Sequence, residues 1–77
     1  MERLGFSDSI RMKLMLNGQV RDMEKGATLS ALLASLQLAE KTVLVELNDR
    51  AVPRSDYSAR VLGEDDRIEI VRMVGGG

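Results

Sequence analysis

Seventy-seven residues with a formal charge of −1 make one small domain, its acidic and basic side chains interspersed along the chain. There is no cysteine and no histidine, which excludes disulfides, thiolate metal sites and thiol nucleophiles and removes the commonest acid–base group. Lys and Arg are not clustered, and Phe6 and Tyr57 are the only aromatics, so the electrostatic footprint and stacking platform of a nucleic-acid binder are both missing.

No stretch is apolar enough for long enough to span a membrane, and residues 1–10 (MERLGFSDSI) lack the hydrophobic run of a secretory signal. A cytoplasmic protein is expected, with residues 1–10 as a poorly ordered extension, a β-sheet domain over residues 11–74 and a flexible tail at 75–77. Arg11 to Leu16 alternates, with Met12, Leu14 and Leu16 on one face, as a half-buried strand does. Asn17-Gly18 suits a type I′ turn, whose two central residues need positive φ, so Gln19 to Met23 is the return strand of a hairpin. Lys25-Gly26 breaks that strand, and Thr28 is placed to cap a helix. Leu29, Leu32, Leu33 and Leu36 then form one apolar stripe, with Ser30 and Ser35 directed outward.

Val43 to Leu47 is β-rich, with Val43, Val45 and Leu47 turned inward. Asn48-Asp49 turns the chain into Arg50-Ala51-Val52, and Pro53, which has no ladder donor, confines that segment to a short edge strand. Arg54 is read as part of a fixed loop or as a partner for an external carboxylate, and Tyr57 as a seal on the core with its hydroxyl toward water. Gly63-Glu64-Asp65-Asp66 makes the last turn. Its acids are read as solvated, and no metal site is expected there. Arg67 to Met73 forms the final strand, with Ile68 and Ile70 facing the core, and Gly75-Gly76-Gly77 follow. Three glycines specify no structure of their own. They read as a lead that carries a carboxylate away from the body, with residues 74–77 reaching roughly 13 Å when extended.

Hairpin, helix, strand, short edge strand and final strand make an α+β chain of the β-grasp or ubiquitin-like plan. The expected sheet is mixed, with about four to five strands and one main helix packed on one face. Within this frame, Leu47-Asn48-Asp49-Arg50-Ala51-Val52-Pro53-Arg54-Ser55-Asp56-Tyr57 resembles the N-x-x-x-V-P-R-x-x-W/Y segment of the thiamin-biosynthesis sulfur carrier family (ThiS). Leu62 to Asp66, Ile68-Glu69-Ile70-Val71 and Val74-Gly75-Gly76-Gly77 are similar to that family's last turn, strand and glycine ending. The resemblance runs from about Met12 to Gly77. It departs at Asp65, where the family usually has glycine; aspartate enters the left-handed region at a cost of about 1 kcal/mol.

The resemblance implies a carrier, not an enzyme: no side chain of this chain would be catalytic, and the chain itself would hold no cofactor. A terminal carboxylate is an anion at neutral pH and a poor acyl electrophile, so it needs activation. In the family, a ubiquitin-activating-type adenylyltransferase uses Mg-ATP to form an acyl-adenylate at the last glycine. Sulfur from cysteine, delivered through a cysteine desulfurase or sulfurtransferase, then displaces AMP and leaves a thiocarboxylate, which thiazole synthase consumes. By this resemblance Gly77 bears the adenylate and then the sulfur, while Gly75 and Gly76 thread the partner's channel. A monomeric shuttle is expected.

If the final strand lies between the first and third, as in the family, parity puts Met15, Leu44, Val71 and Met73 on the face opposite the helix. Lys13, Glu46, Arg67 and Glu69 surround them. These four apolar residues are expected to meet beside the tail and, with Val74, to contact the adenylyltransferase. Two other readings stay open at this point. One is a related carrier serving molybdopterin, cysteine or tRNA thiolation; the other is a ubiquitin-like modifier joined to protein lysines, or a non-reactive adaptor.

Overall fold

The computed structural model describes residues 11–73; the extension at residues 1–10 and the stretch 74–77 lie outside the described residues. Among the described residues the strands are β1 (Arg11–Leu16), β2 (Gln19–Glu24), β3 (Val43–Leu47), β4 (Arg50–Ala51) and β5 (Arg67–Arg72), with one α-helix, α1 (Leu29–Ser35). They form a five-stranded sheet in the order β2-β1-β5-β3-β4, with β1 and β5 parallel and the remaining pairs antiparallel. The last strand is therefore central. This is the expected β-grasp order, with α1 across one face.

Local chemistry explains each element. Asn17 and Gly18 take φ of 49° and 83°, and that tight turn sets the hairpin register, Met15 opposite Val20 and Leu14 opposite Arg21. A slip by one residue would turn Met12 and Leu14, both buried, to the solvent side. Thr28 caps α1 as expected, its Oγ1 accepting the Ala31 N–H at 3.1 Å. Leu29, Leu32 and Leu33 are fully buried and Leu36 is half-buried. They close a core with Met12, Leu14, Val43, Val45, Leu47, Tyr57, Leu62 and Ile68. Gln37 ends the helix in the left-handed region at φ 59°.

Ser30 departs from expectation. It is half-buried, because a short 3-10 helix at Glu40–Thr42 folds back beside the first turn of α1. Its hydroxyl donates to Glu40 Oε2 at 2.6 Å and its N–H donates to the Tyr57 carbonyl at 3.0 Å. Ser35 is exposed as expected, with its hydroxyl bonded to the Leu32 carbonyl. A second 3-10 helix, Arg54–Asp56, follows Pro53. Arg54 has intramolecular work there: Nε donates to the Glu40 carbonyl and Nη2 to the Lys41 carbonyl, each at 3.3 Å. It fastens one 3-10 helix to the other.

Arg21 is a weak point. On the edge strand β2 it lies across from the buried Leu14, and its Nε is buried with no hydrogen-bond partner among the described residues. An unmet buried donor costs more than an absent one. Arg21→Met keeps an aliphatic stem over the core and removes the orphan. The substitution is expected to raise stability by about 1 kcal/mol, read as a higher urea midpoint at unchanged slope.

Candidate functional site: the tail-bearing strand and its exposed face

Strand β5 alternates. Ile68 is buried and Ile70 half-buried beneath the helix, while Arg67, Glu69 and Val71 point to the other side. Leu44 sits directly opposite Val71 across the β3–β5 ladder, and the two are 56% and 58% exposed. Met73, 41% exposed, continues the same row and is held by its N–H to the Thr42 carbonyl at 2.9 Å. Three large apolar side chains thus gather on the last rungs before residue 74.

Met15 does not join them. Its partner on β5 is Arg67, four residues before Val71, or roughly 13 Å along the strand. Met15 is half-buried, and its other neighbour is Val20, 64% exposed on β2. The expected cluster of four is therefore two islands: Leu44, Val71 and Met73 at the tail end, and Met15 with Val20 beyond Arg67 and Glu69. Val20 was missed on sequence, although the Asn17-Gly18 turn already sets it opposite Met15.

The charged residues of this face divide in the same way. Lys13 pairs with Asp22 at 3.0 Å, and the Arg67 guanidinium forks onto both Asp49 oxygens at 3.4 and 3.1 Å. Both pairs are well exposed, so each contributes at most about 1 kcal/mol. Glu46 and Glu69 face each other directly across the ladder. Among the described residues, neither has a salt-bridge partner.

Two asparagines position β5. Strand β1 ends at Leu16, and the Asn17 side chain continues its role: Oδ1 accepts the Ile70 N–H at 2.8 Å and Nδ2 donates to the Ile70 carbonyl at 3.3 Å. Asn48, with φ of 52°, accepts the Arg67 N–H at 2.9 Å and donates to Asp66 Oδ1 at 3.0 Å. In each case a left-handed turn residue sends its carboxamide across to the neighbouring strand. The acidic turn adds to this fastening. Asp65 takes φ 68°, as the departure from glycine requires, and its N–H donates to the Lys13 carbonyl at 2.8 Å. Asp66 Oδ2 accepts the Gly63 N–H at 2.7 Å, and Glu64 Oε1 accepts the Lys13 N–H at 3.3 Å.

Asn17→Gly separates turn from clamp, since glycine keeps the positive φ but has no carboxamide. It is expected to lower stability by about 1 kcal/mol. Hydrogen exchange should accelerate at the Ile70 amide while the Met73 amide, bonded on the β3 side, is spared.

A mixed five-stranded sheet with one helix on one face, its final strand central and pointing toward a glycine-rich end, defines a ubiquitin-like β-grasp protein. No helix among the described residues is long and apolar enough to cross a membrane. More narrowly, the chain belongs to the ThiS family, which it matches over residues 14–77. The sulfur carrier protein ThiS of Bacillus subtilis is 43% identical over 65 residues, which are 83% of this chain and 98% of that protein. A thiazole synthase of Magnetococcus marinus is 48% identical over 66 residues, which are 86% of this chain and 20% of that protein. The chain thus spans about a fifth of the length of that relative. The crystal structure of the thiamine biosynthesis protein ThiS from Geobacter metallireducens matches with a TM-score of 0.74 at 29% identity, over 86% of this chain and 100% of that one. Family and fold were both legible in the residues. The sites at Gly75, Gly76 and Gly77, with Val74, lie outside the described residues.

Proposed function

We propose that this chain is the sulfur carrier for thiazole formation in thiamin biosynthesis, with Gly77 as the residue that is adenylated and then converted to a thiocarboxylate. The observation that carries the proposal is a family match running through residue 77, on a body whose exposed central strand leads directly to those glycines. The terminal carboxylate oxygen attacks the α-phosphorus of ATP on a ubiquitin-activating-type adenylyltransferase that supplies Mg-ATP, and pyrophosphate leaves. A persulfide, fed by a cysteine desulfurase or sulfurtransferase, attacks the acyl carbon and AMP leaves. A thiol of the partner machinery then cleaves the resulting acyl disulfide, closing a disulfide of its own and releasing the thiocarboxylate. The thiocarboxylate then delivers sulfur to thiazole synthase. Relatives that bear that name and contain a segment like this chain support this partner. The chain acts as a passive, cytoplasmic, monomeric carrier and binds no cofactor or metal itself.

Leu44, Val71 and Met73 dock on the adenylyltransferase, Val74 leads into its channel, and Gly75 and Gly76 let the backbone pass where a Cβ would obstruct. Intact-mass measurement after incubation with the cognate adenylyltransferase, Mg-ATP and a sulfur source tests the function. A carrier gains the mass difference between sulfur and oxygen. High-mass conjugates would make the chain a modifier instead, and an unchanged mass would make it neither.

A further inference from the structure

Glu46 and Glu69 stand directly opposite each other on the exposed face. Antiparallel partners lie close enough that like charges there destabilise the sheet. The register gives them no escape, because Leu47 opposite Ile68 and Val45 opposite Ile70, one rung to either side, are held by the core. Two other charges on the face are answered within the chain, Lys13 by Asp22 and Arg67 by Asp49. Among the described residues no salt bridge reaches the Glu46–Glu69 rung, where two like charges face each other. The next outward-facing rung is Leu44 with Val71, the apolar pair at the tail end.

We infer that this face is completed by a basic side chain of its partner: the adenylyltransferase presents a guanidinium that bridges the Glu46 and Glu69 carboxylates while apolar neighbours cover Leu44, Val71 and Met73. The inference rests on the sulfur-carrier reading above and specifies the chemistry of its docking surface. A guanidinium is favoured over an ammonium because its planar fork can engage two carboxylates that face each other on one rung. The apolar island supplies burial and the acidic rung supplies register. A partner seated one rung away would meet Asn48 and the already paired Arg67, or would lose the apolar contact. An unpaired acidic rung also rejects acidic surfaces, since like charges at an interface are unfavourable.

The experiment is a titration of the carrier into the cognate adenylyltransferase, using Glu46→Gln, Glu69→Gln and the double variant. Each single change is expected to weaken binding several-fold and the double change by roughly tenfold or more. The wild-type affinity should fall with added salt, and that dependence should flatten in the double variant. Melting temperatures should hold or rise, because the repulsion is gone. Wild-type affinity in the double variant overturns the inference. So does a loss of affinity that accompanies a lower melting temperature, or one seen only toward thiazole synthase. Affinity decides the docking, and sulfur loading of Gly77 at saturating adenylyltransferase decides the carrier reading. A double variant that binds normally yet is loaded refutes the first and leaves the second intact.

Discussion

Deleting Gly77 is expected to abolish sulfur loading while leaving the fold unchanged. The shortened chain still ends in a glycine carboxylate, so the reactive group is not lost; it is displaced. One residue of extended backbone is roughly 3.5 Å, and a carboxylate that far short of the α-phosphorus falls outside the near-attack distance of about 3–3.5 Å. A misplacement of about 1 Å already costs on the order of a hundredfold, so a whole residue should leave no measurable product. The body anchors β5 through the Asn17 and Asn48 side chains and cannot slide forward to compensate. Blocking the carboxylate as an amide separates reach from chemistry: the length is native, the attacking oxygen is gone, and loading should again be nil. Sulfur loading of the Gly77 deletion at the wild-type rate, read by intact mass, would sink the proposal.

The fold was legible because its largest signals are local. The Asn17-Gly18 turn, the leucine stripe behind Thr28 and the alternation in β1, β3 and β5 each follow from nearest-neighbour chemistry, and the structure returns them within a residue. What escaped depends on contacts distant in sequence. Three-residue 3-10 helices carry no periodicity; the one at Glu40–Thr42 gains its ties from Ser30 and Arg54. Asn17 announces a turn, but nothing nearby shows that its carboxamide will reach Ile70, 53 positions later. Met15 was assigned to the right face and the wrong place. Parity decides the face of a strand, while the stagger between β1 and β5 is set by which core residues share a layer. That stagger puts Met15 beside Arg67. The antiparallel neighbour Val20 needed no such information, because a two-residue turn fixes its register outright.

The split into two islands makes a sharp expectation about docking. Val71→Lys with Met73→Lys should leave the domain folded, since both side chains lie on the solvent face and surface changes usually stay within about 0.5 kcal/mol. The same double variant should be poorly adenylated. It removes apolar contact worth about 2–4 kcal/mol once covered by a partner, roughly a thirty- to several-hundredfold loss of affinity. It also sets two cations against the guanidinium that Glu46 and Glu69 are inferred to receive. Rate against adenylyltransferase concentration is the measurement: a docking defect raises the concentration needed and is overcome at saturation, whereas a tail defect is not. Val20→Lys on the distant island is the control, with an expected loss at least several-fold smaller. If the double variant is adenylated as well as the wild type and melts at the same temperature, the tail-end island is not the dock. If Val20→Lys is the more damaging change, the partner seats on the hairpin, and the glycines must reach its active site from the far end of the sheet.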